Sequence, residues 1–148
     1  MQTSPAGQAF IRVNEGFTAI PKPDNGKLEW GYGHDQQPGE IAPASINLIE
    51  AITLLQDDLA SRFDPALNMM VPTLIPESCT QDQWDALADM AYNDGPRDVA
   101  IMLGHGWDQV PQQLPRWCYE TVNGTPVKSP GLLARRLREA ALFRGLHT

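Results

Sequence analysis

Residues 18–39 constrain the fold most, because their texture differs from that of both flanks. Prolines fall at 21, 23 and 38 and glycines at 26, 31, 33 and 39, a density of breakers that no helix passes through. Asp24-Asn25-Gly26 has turn chemistry, since Asn and Gly accept positive φ at little cost. Lys27, Leu28, Glu29, Trp30 and Tyr32 then alternate as a half-buried strand does. A small hairpin or three-stranded sheet is therefore expected over about residues 15–40.

Both flanks read as helix. Phe10, Ile11, Val13 and Phe17 mark a short first helix ended near Gly16. Ile46, Ile49, Ile52, Leu55, Leu59 and Phe63 recur every three or four positions, with Pro43 and Ser45 near the start. Thr80-Gln81-Asp82-Gln83 is a capping-box pattern, followed by Trp84, Leu87 and Ala91 on one face and stopped by Gly95-Pro96. Val99 to Leu103 reads as another short helix. Ser129-Pro130 opens a last one, with Leu133, Leu137, Ala140 and Ala141 as its apolar stripe. The expected fold class is α+β and mostly helical, with a small N-terminal sheet and a helical bulk over residues 41–148. A chain of 148 residues suits one domain that buries roughly two-thirds of its unfolded surface. Trp30, Trp84, Trp107 and Trp117 are expected in the core rather than as sugar platforms.

Several function classes are disfavoured. No run approaches the roughly 20 apolar residues of a membrane span. Met1 to Gln8 lack the basic start and apolar run of a secretory signal. Synthesis in the cytosol of the producing cell, with export needing outside help, is the expectation. Cys79 and Cys118 are expected as reduced thiols, and His34, His105 and His147 are too scattered for a zinc site. The net charge of −7 is uneven: residues 1–108 hold five basic and sixteen acidic side chains, whereas 109–148 hold six and two. Arg135, Arg136, Arg138 and Arg144 are read as a solvated helix face, or else as a face that meets an anionic polymer. Duplex nucleic acid is not expected, because the acidic remainder repels phosphate.

Glu15, Asp24 and Glu29 stand close together around the irregular segment. Glycoside hydrolysis needs one protonated carboxyl to assist the leaving oxygen and a second, ionised, to activate water or attack. An apolar helix end raises a carboxyl pKa, which suits Glu15 to the acid role. With sixteen acids in the first 108 residues, proximity in sequence also fits ordinary surface acids.

The wider pattern is more specific. Asn14-Glu15-Gly16-Phe17, then Asp24 nine residues after Glu15, then Trp30-Gly31-Tyr32-Gly33-His34 resembles the signature of the phage-type lysozymes, glycoside hydrolase family 24. Thr80 to Leu87 is similar to that family's L-T-Q-x-Q-F-D-A-L helix, Ala91-Tyr92-Asn93-Asp94-Gly95 to its A-F-N-x-G close, and Pro130 to Glu139 to its G-L-x-x-R-R-x-x-E helix. The resemblance covers most of the chain in register. It implies a two-lobed lysozyme-like fold and a muramidase cutting the β-1,4 bond between N-acetylmuramic acid and N-acetylglucosamine. It also implies peptidoglycan strands as partner, action at the wall or periplasm after release, a monomer, and no metal or organic cofactor. Glu15 becomes the general acid and Asp24 orients water or stabilises the sugar cation. Tyr32, Gly33 and His34 line or support the cleft floor, with Asn93 opposite. His34 is equally well read as a structural hydrogen-bonding residue.

One departure stands out. Glu29 occupies the position two before Gly31 where the family carries Thr, and the segment from Asp24 is one residue shorter. Glu29 is longer and charged, and serves as base or nucleophile, or blocks the water and traps a glycosyl adduct. A lytic transglycosylase, and a glycan-binding or inactive structural descendant, are the alternatives carried forward.

Overall fold

The computed structural model describes residues 1–24, 26–71 and 73–147. Its centre is helix α4 (Gln81–Asp94), every residue of which from Trp84 to Ala91 is buried. The expected capping box is present: the Thr80 hydroxyl accepts from the Gln83 amide and the Gln83 side chain accepts from the Thr80 amide. A helix so enclosed must satisfy any acid it buries, and of the four acids on α4 two are buried, Asp85 and Asp89, one turn apart.

These acids fix α1 (Pro5–Glu15) at both ends. Ser4 caps α1 and Pro5 opens it. The Ser4 amide donates to Asp85 at 2.9 Å, and the Ser4 hydroxyl bonds the same carboxylate. At the other end the Asn14 side chain donates to Asp89 at 3.0 Å. Between them Gly7 lets the helices touch, since a Cβ there would fall 2.5 Å from the Asp85 carboxyl carbon. Thr3 is tied down as well, by three hydrogen bonds to the buried Asp64, which also accepts from the Trp84 indole. The first helix therefore starts at Pro5, earlier than its apolar residues suggest, and ends at Gly16 with φ +72°.

A three-stranded antiparallel sheet follows, in the order β1 (Thr18–Asp24), β2 (Lys27–Gly31), β3 (His34–Asp35). The turn read at Asp24-Asn25-Gly26 falls on Asn25, which lies outside the described residues. In the register Glu29 sits across from Lys22 on one side and Asp35 on the other. Side-chain alternation puts Trp30 and Glu29 on opposite faces. Trp30 is buried against α2 (Leu48–Asp58), and a Cβ at Gly31 would lie 3.5 Å from the Ala51 methyl.

Helix α2 starts later than Pro43 and Ser45 suggest. Asn47 is its cap, in a reciprocal box with Glu50. Past Asp58 the helix widens into a π turn, Leu59–Phe63, before α3 (Asp64–Asn68). The long apolar period to Phe63 thus crosses a break in helix type, although Leu55, Leu59 and Phe63 are buried as expected. Helices α5 (Pro96–Leu103) and α6 (Val110–Gln113) complete the body with two short 3₁₀ turns. A second antiparallel pair, β4 (Tyr119–Val122) and β5 (Thr125–Lys128), was missed. Its signal was Asn123-Gly124, both at positive φ, the two-residue turn that hairpins favour.

Helix α7 (Pro130–Phe143), capped by Ser129, corrects the reading of its own faces. Arg135, Arg136 and Glu139 are buried together with Ala140 and Phe143, while Leu137 is exposed. The helix turns its charges inward because α4 offers Asp89 and Asp94 to meet them. Arg138 and Arg144 alone of the four arginines remain on the surface. Of the tryptophans, Trp30 and Trp84 are buried and Trp107 and Trp117 are half-buried. Cys79 and Cys118 are both buried free thiols, as expected. Among the described residues no helix is long and apolar enough to cross a membrane.

Candidate active site

Glu15 is the last residue of α1, and it opens on a cleft of about 280 Å³ lined by Asp24, Glu29, Gly33, Asp35, Tyr92 and Asn93. The sheet supplies one wall and the end of α4 the other. A second hollow of about 260 Å³ adjoins it, sharing Gly33, Asp35, Tyr92 and Asn93 and adding Arg62 and Asp94. The structure thus brings Glu15, Asp24, Glu29, Gly33 and Asn93 together around one cavity. Tyr32 and His34 are not among its lining.

The Glu15 carboxyl is only 16% exposed and pairs with Arg135, Nη1 to Oε1 2.7 Å. Burial pushes its pKa up, with Asp89 and Glu29 adding to the rise, and Arg135 offsets only part of it. The end of α1 favours protonation too, because a helix C-terminus disfavours negative charge. Gly33, at φ +79°, gives the carboxyl its space: a Cβ there would lie 2.8 Å from Glu15 Oε2.

Arg135 is itself gripped by Asp89 through two hydrogen bonds of 2.9 Å, the fork geometry that fixes a guanidinium most firmly. Arg136, fully buried, reaches Asp94 at 2.9 Å, donates to the Trp117 carbonyl, and bonds Glu139 and the Asn93 side-chain oxygen. The Asn93 amide is therefore oriented by an arginine behind it. Burial pushes Glu139 well above the ordinary carboxylate range, with Asp89 reinforcing the shift and Arg136 opposing it. The family-like pattern placed these arginines correctly in sequence. Periodicity could not show that they point inward.

His34 holds the floor from behind. It is 4% exposed, with Nδ1 2.6 Å from Asp58 and Nε2 3.0 Å from Glu40, and its ring meets Trp30 at 4.8 Å. Burial pulls its pKa down, but the two carboxylates outweigh burial and the net shift is upward. Both ring nitrogens are engaged, so it acts here as a tie between β3 and α2. Tyr32 likewise packs on Phe17 at 5.7 Å. Asp35, on the two-residue β3, was not singled out from the sequence, and Tyr92 was named there within the Ala91-to-Gly95 motif but not as a cleft residue.

Glu29 forms an ion pair with Lys22 at 2.9 Å. Among the described residues, Asp24, Glu29 and Asp35 form the one group with metal-like spacing, their oxygens within 4.8 Å of one another.

A small sheet facing a helical body across an acid-lined cleft is the lysozyme-like, mixed α and β architecture. The endolysin from Escherichia coli O157:H7 phage FAHEc1 superposes with a TM-score of 0.82 at 28% identity, covering 97% of this chain and 93% of that one. The muramidase domain of SpmX from Asticaccaulis excentricus gives 0.82 at 27%, covering 96% and 97%. In sequence, the endolysin of Bacillus phage PZA is 32% identical over 155 residues, covering 97% of this chain but 55% of the relative, so the chain spans about half that protein's length. The phage lysozyme family profile matches residues 12–139. This chain belongs to the phage lysozyme family. The matched stretch runs from just before Glu15 to Glu139 and contains every cleft residue named above.

Proposed function

We propose that residues 1–148 act as one lysozyme-like unit, a monomer that hydrolyses the β-1,4 bond between N-acetylmuramic acid and N-acetylglucosamine in peptidoglycan. The observation that carries this reading is the buried Glu15 carboxyl, held at a helix end with its pKa raised, facing Asp24 and Glu29 across a cleft. Glu15 donates its proton to the glycosidic oxygen as the bond breaks. Positive charge then grows on the sugar ring, and the carboxylates of Asp24 and Glu29 stabilise it and direct a water to the anomeric carbon. Gly33 keeps the acid's space clear and Asn93 contacts the glycan from the α4 side, while Tyr32 and His34 brace the floor. In this scheme the protein is made in the cytosol and reaches the wall after release, needing no metal or cofactor.

The test is Glu15→Gln, which keeps the shape but has no proton to give. Loss of at least about 10²-fold in wall lysis, with thermal unfolding still cooperative, is expected. A variant keeping more than about a tenth of wild-type activity removes Glu15 from the acid role. Mass spectrometry of wild-type products should show reducing muramic acid ends. Products ending in 1,6-anhydro sugars identify a lytic transglycosylase instead. Wild-type protein that binds walls without clearing them is a glycan-binding descendant.

A further inference from the structure

Tyr92 stands where the two hollows of the cleft meet and lines both. Its ring is held against Phe63 at a centroid distance of 4.9 Å, so its hydroxyl has a fixed place. That hydroxyl oxygen is buried, and among the described residues it has no hydrogen-bond partner. Folded proteins seldom leave a buried hydroxyl unpaired, because it forfeits the water it had in the unfolded chain. The family-like A-F-N-x-G pattern carries Phe at this place, so the hydroxyl is an addition that packing alone does not require.

The surroundings say what would satisfy it. Burial pushes the phenol far above the ordinary tyrosine range, with Asp58 and Glu15 acting in the same sense, so the group is a neutral O–H donor. The charge of Asp58, with that of Asp35 added, outweighs that of Arg62 at this hydroxyl and disfavours an anionic acceptor. A neutral oxygen is the complementary group. We propose that the Tyr92 hydroxyl is a substrate contact, donating to a neutral oxygen of an N-acetylated sugar (a ring hydroxyl or an acetamido carbonyl) seated in the cleft beside Glu15. This deepens the lysozyme reading and rests on it.

The experiment compares wild-type protein with Tyr92→Phe, using dye-release kinetics on purified peptidoglycan sacculi, equilibrium binding to the same sacculi, and thermal unfolding. The expected result is a KM and a dissociation constant raised about five-fold, the worth of one neutral hydrogen bond. The Tm should be unchanged or higher, since the free protein loses an unpaired group. Equal affinity in the two proteins overturns the proposal, as does a lower Tm with unchanged kinetics, which marks a structural hydroxyl. Wild-type protein that cuts normally beside an unaffected variant sinks this inference alone. Wild-type protein that neither binds nor cuts sinks the lysozyme reading and this inference with it.

Discussion

Arg135 and Glu15 meet at 2.7 Å although 120 positions separate them, and the same guanidinium is locked by Asp89 on α4. Three helices converge on the acid in this way. Removing one partner of a buried ion pair is costly, because the other charges stay behind unpaired. Arg135→Met should therefore destabilise the fold by about 3–5 kcal/mol, read by urea unfolding, and Arg135→Lys by less. Arg135 holds the Glu15 pKa down against burial, so a shortened charge should move the high-pH limb of the pH–rate profile upward in Arg135→Lys. An unmoved limb would show that the pair serves stability alone.

Gly33 sets the position of the acid from the sheet side. A side chain at φ +79° costs about 1–2 kcal/mol, and its Cβ would fall 2.8 Å from the Glu15 carboxyl. Gly33→Ala should lose activity on the order of 10²-fold by misplacing the acid, with only a modest fall in Tm. Activity within a factor of about two of wild type would mean that the carboxyl moves aside without consequence.

Glu29 stands where the family resemblance leads one to expect Thr, and the structure puts it in the cleft with Glu15, paired with Lys22. If it handles the attacking water, Glu29→Gln should lose activity and Glu29→Thr should recover part of it, since a hydroxyl holds water by hydrogen bonding. Product stereochemistry then tells base from nucleophile, inverted for the first and retained for the second. Full activity in both variants leaves Asp24 as the sole working partner of Glu15.

His34 gives the fold a pH window. Its pKa is raised in the folded state, so its contribution is complete below the unfolded value and is lost as pH rises through the higher folded one. Glu40 is shifted the opposite way: burial would raise its pKa, but the Gln37 amide and His34 outweigh it and lower it. Its contribution is present above the unfolded value and lost as pH falls through the folded one. Tm measured from pH 4 to 9 should show wild type exceeding His34→Asn most between these limits, with the gap narrowing on the alkaline side. A gap constant across the range would assign the His34 contribution to packing alone.

The sequence by itself determined the class of fold and most of the cleft. Breakers at 21, 23, 26, 31 and 33 forbid a helix and alternation makes a sheet, while capping patterns at Thr80 and Ser129 place two helix starts to the residue. Local spacing drew Glu15, Asp24 and Glu29 together, whereas Gly33 and Asn93 came only from the resemblance to the family; all five line one cleft. Tertiary structure decided what the other charges do. The periodicity of α7 ranks Leu137 above Arg135 for burial, yet Leu137 is exposed and Arg135 and Arg136 are inside, because two acids on α4 wait there. Hydrophobic pattern measures only the cost of burying a charge alone. A charge paired across 46 positions, as Arg135 is with Asp89, follows a rule that no window of neighbouring residues contains.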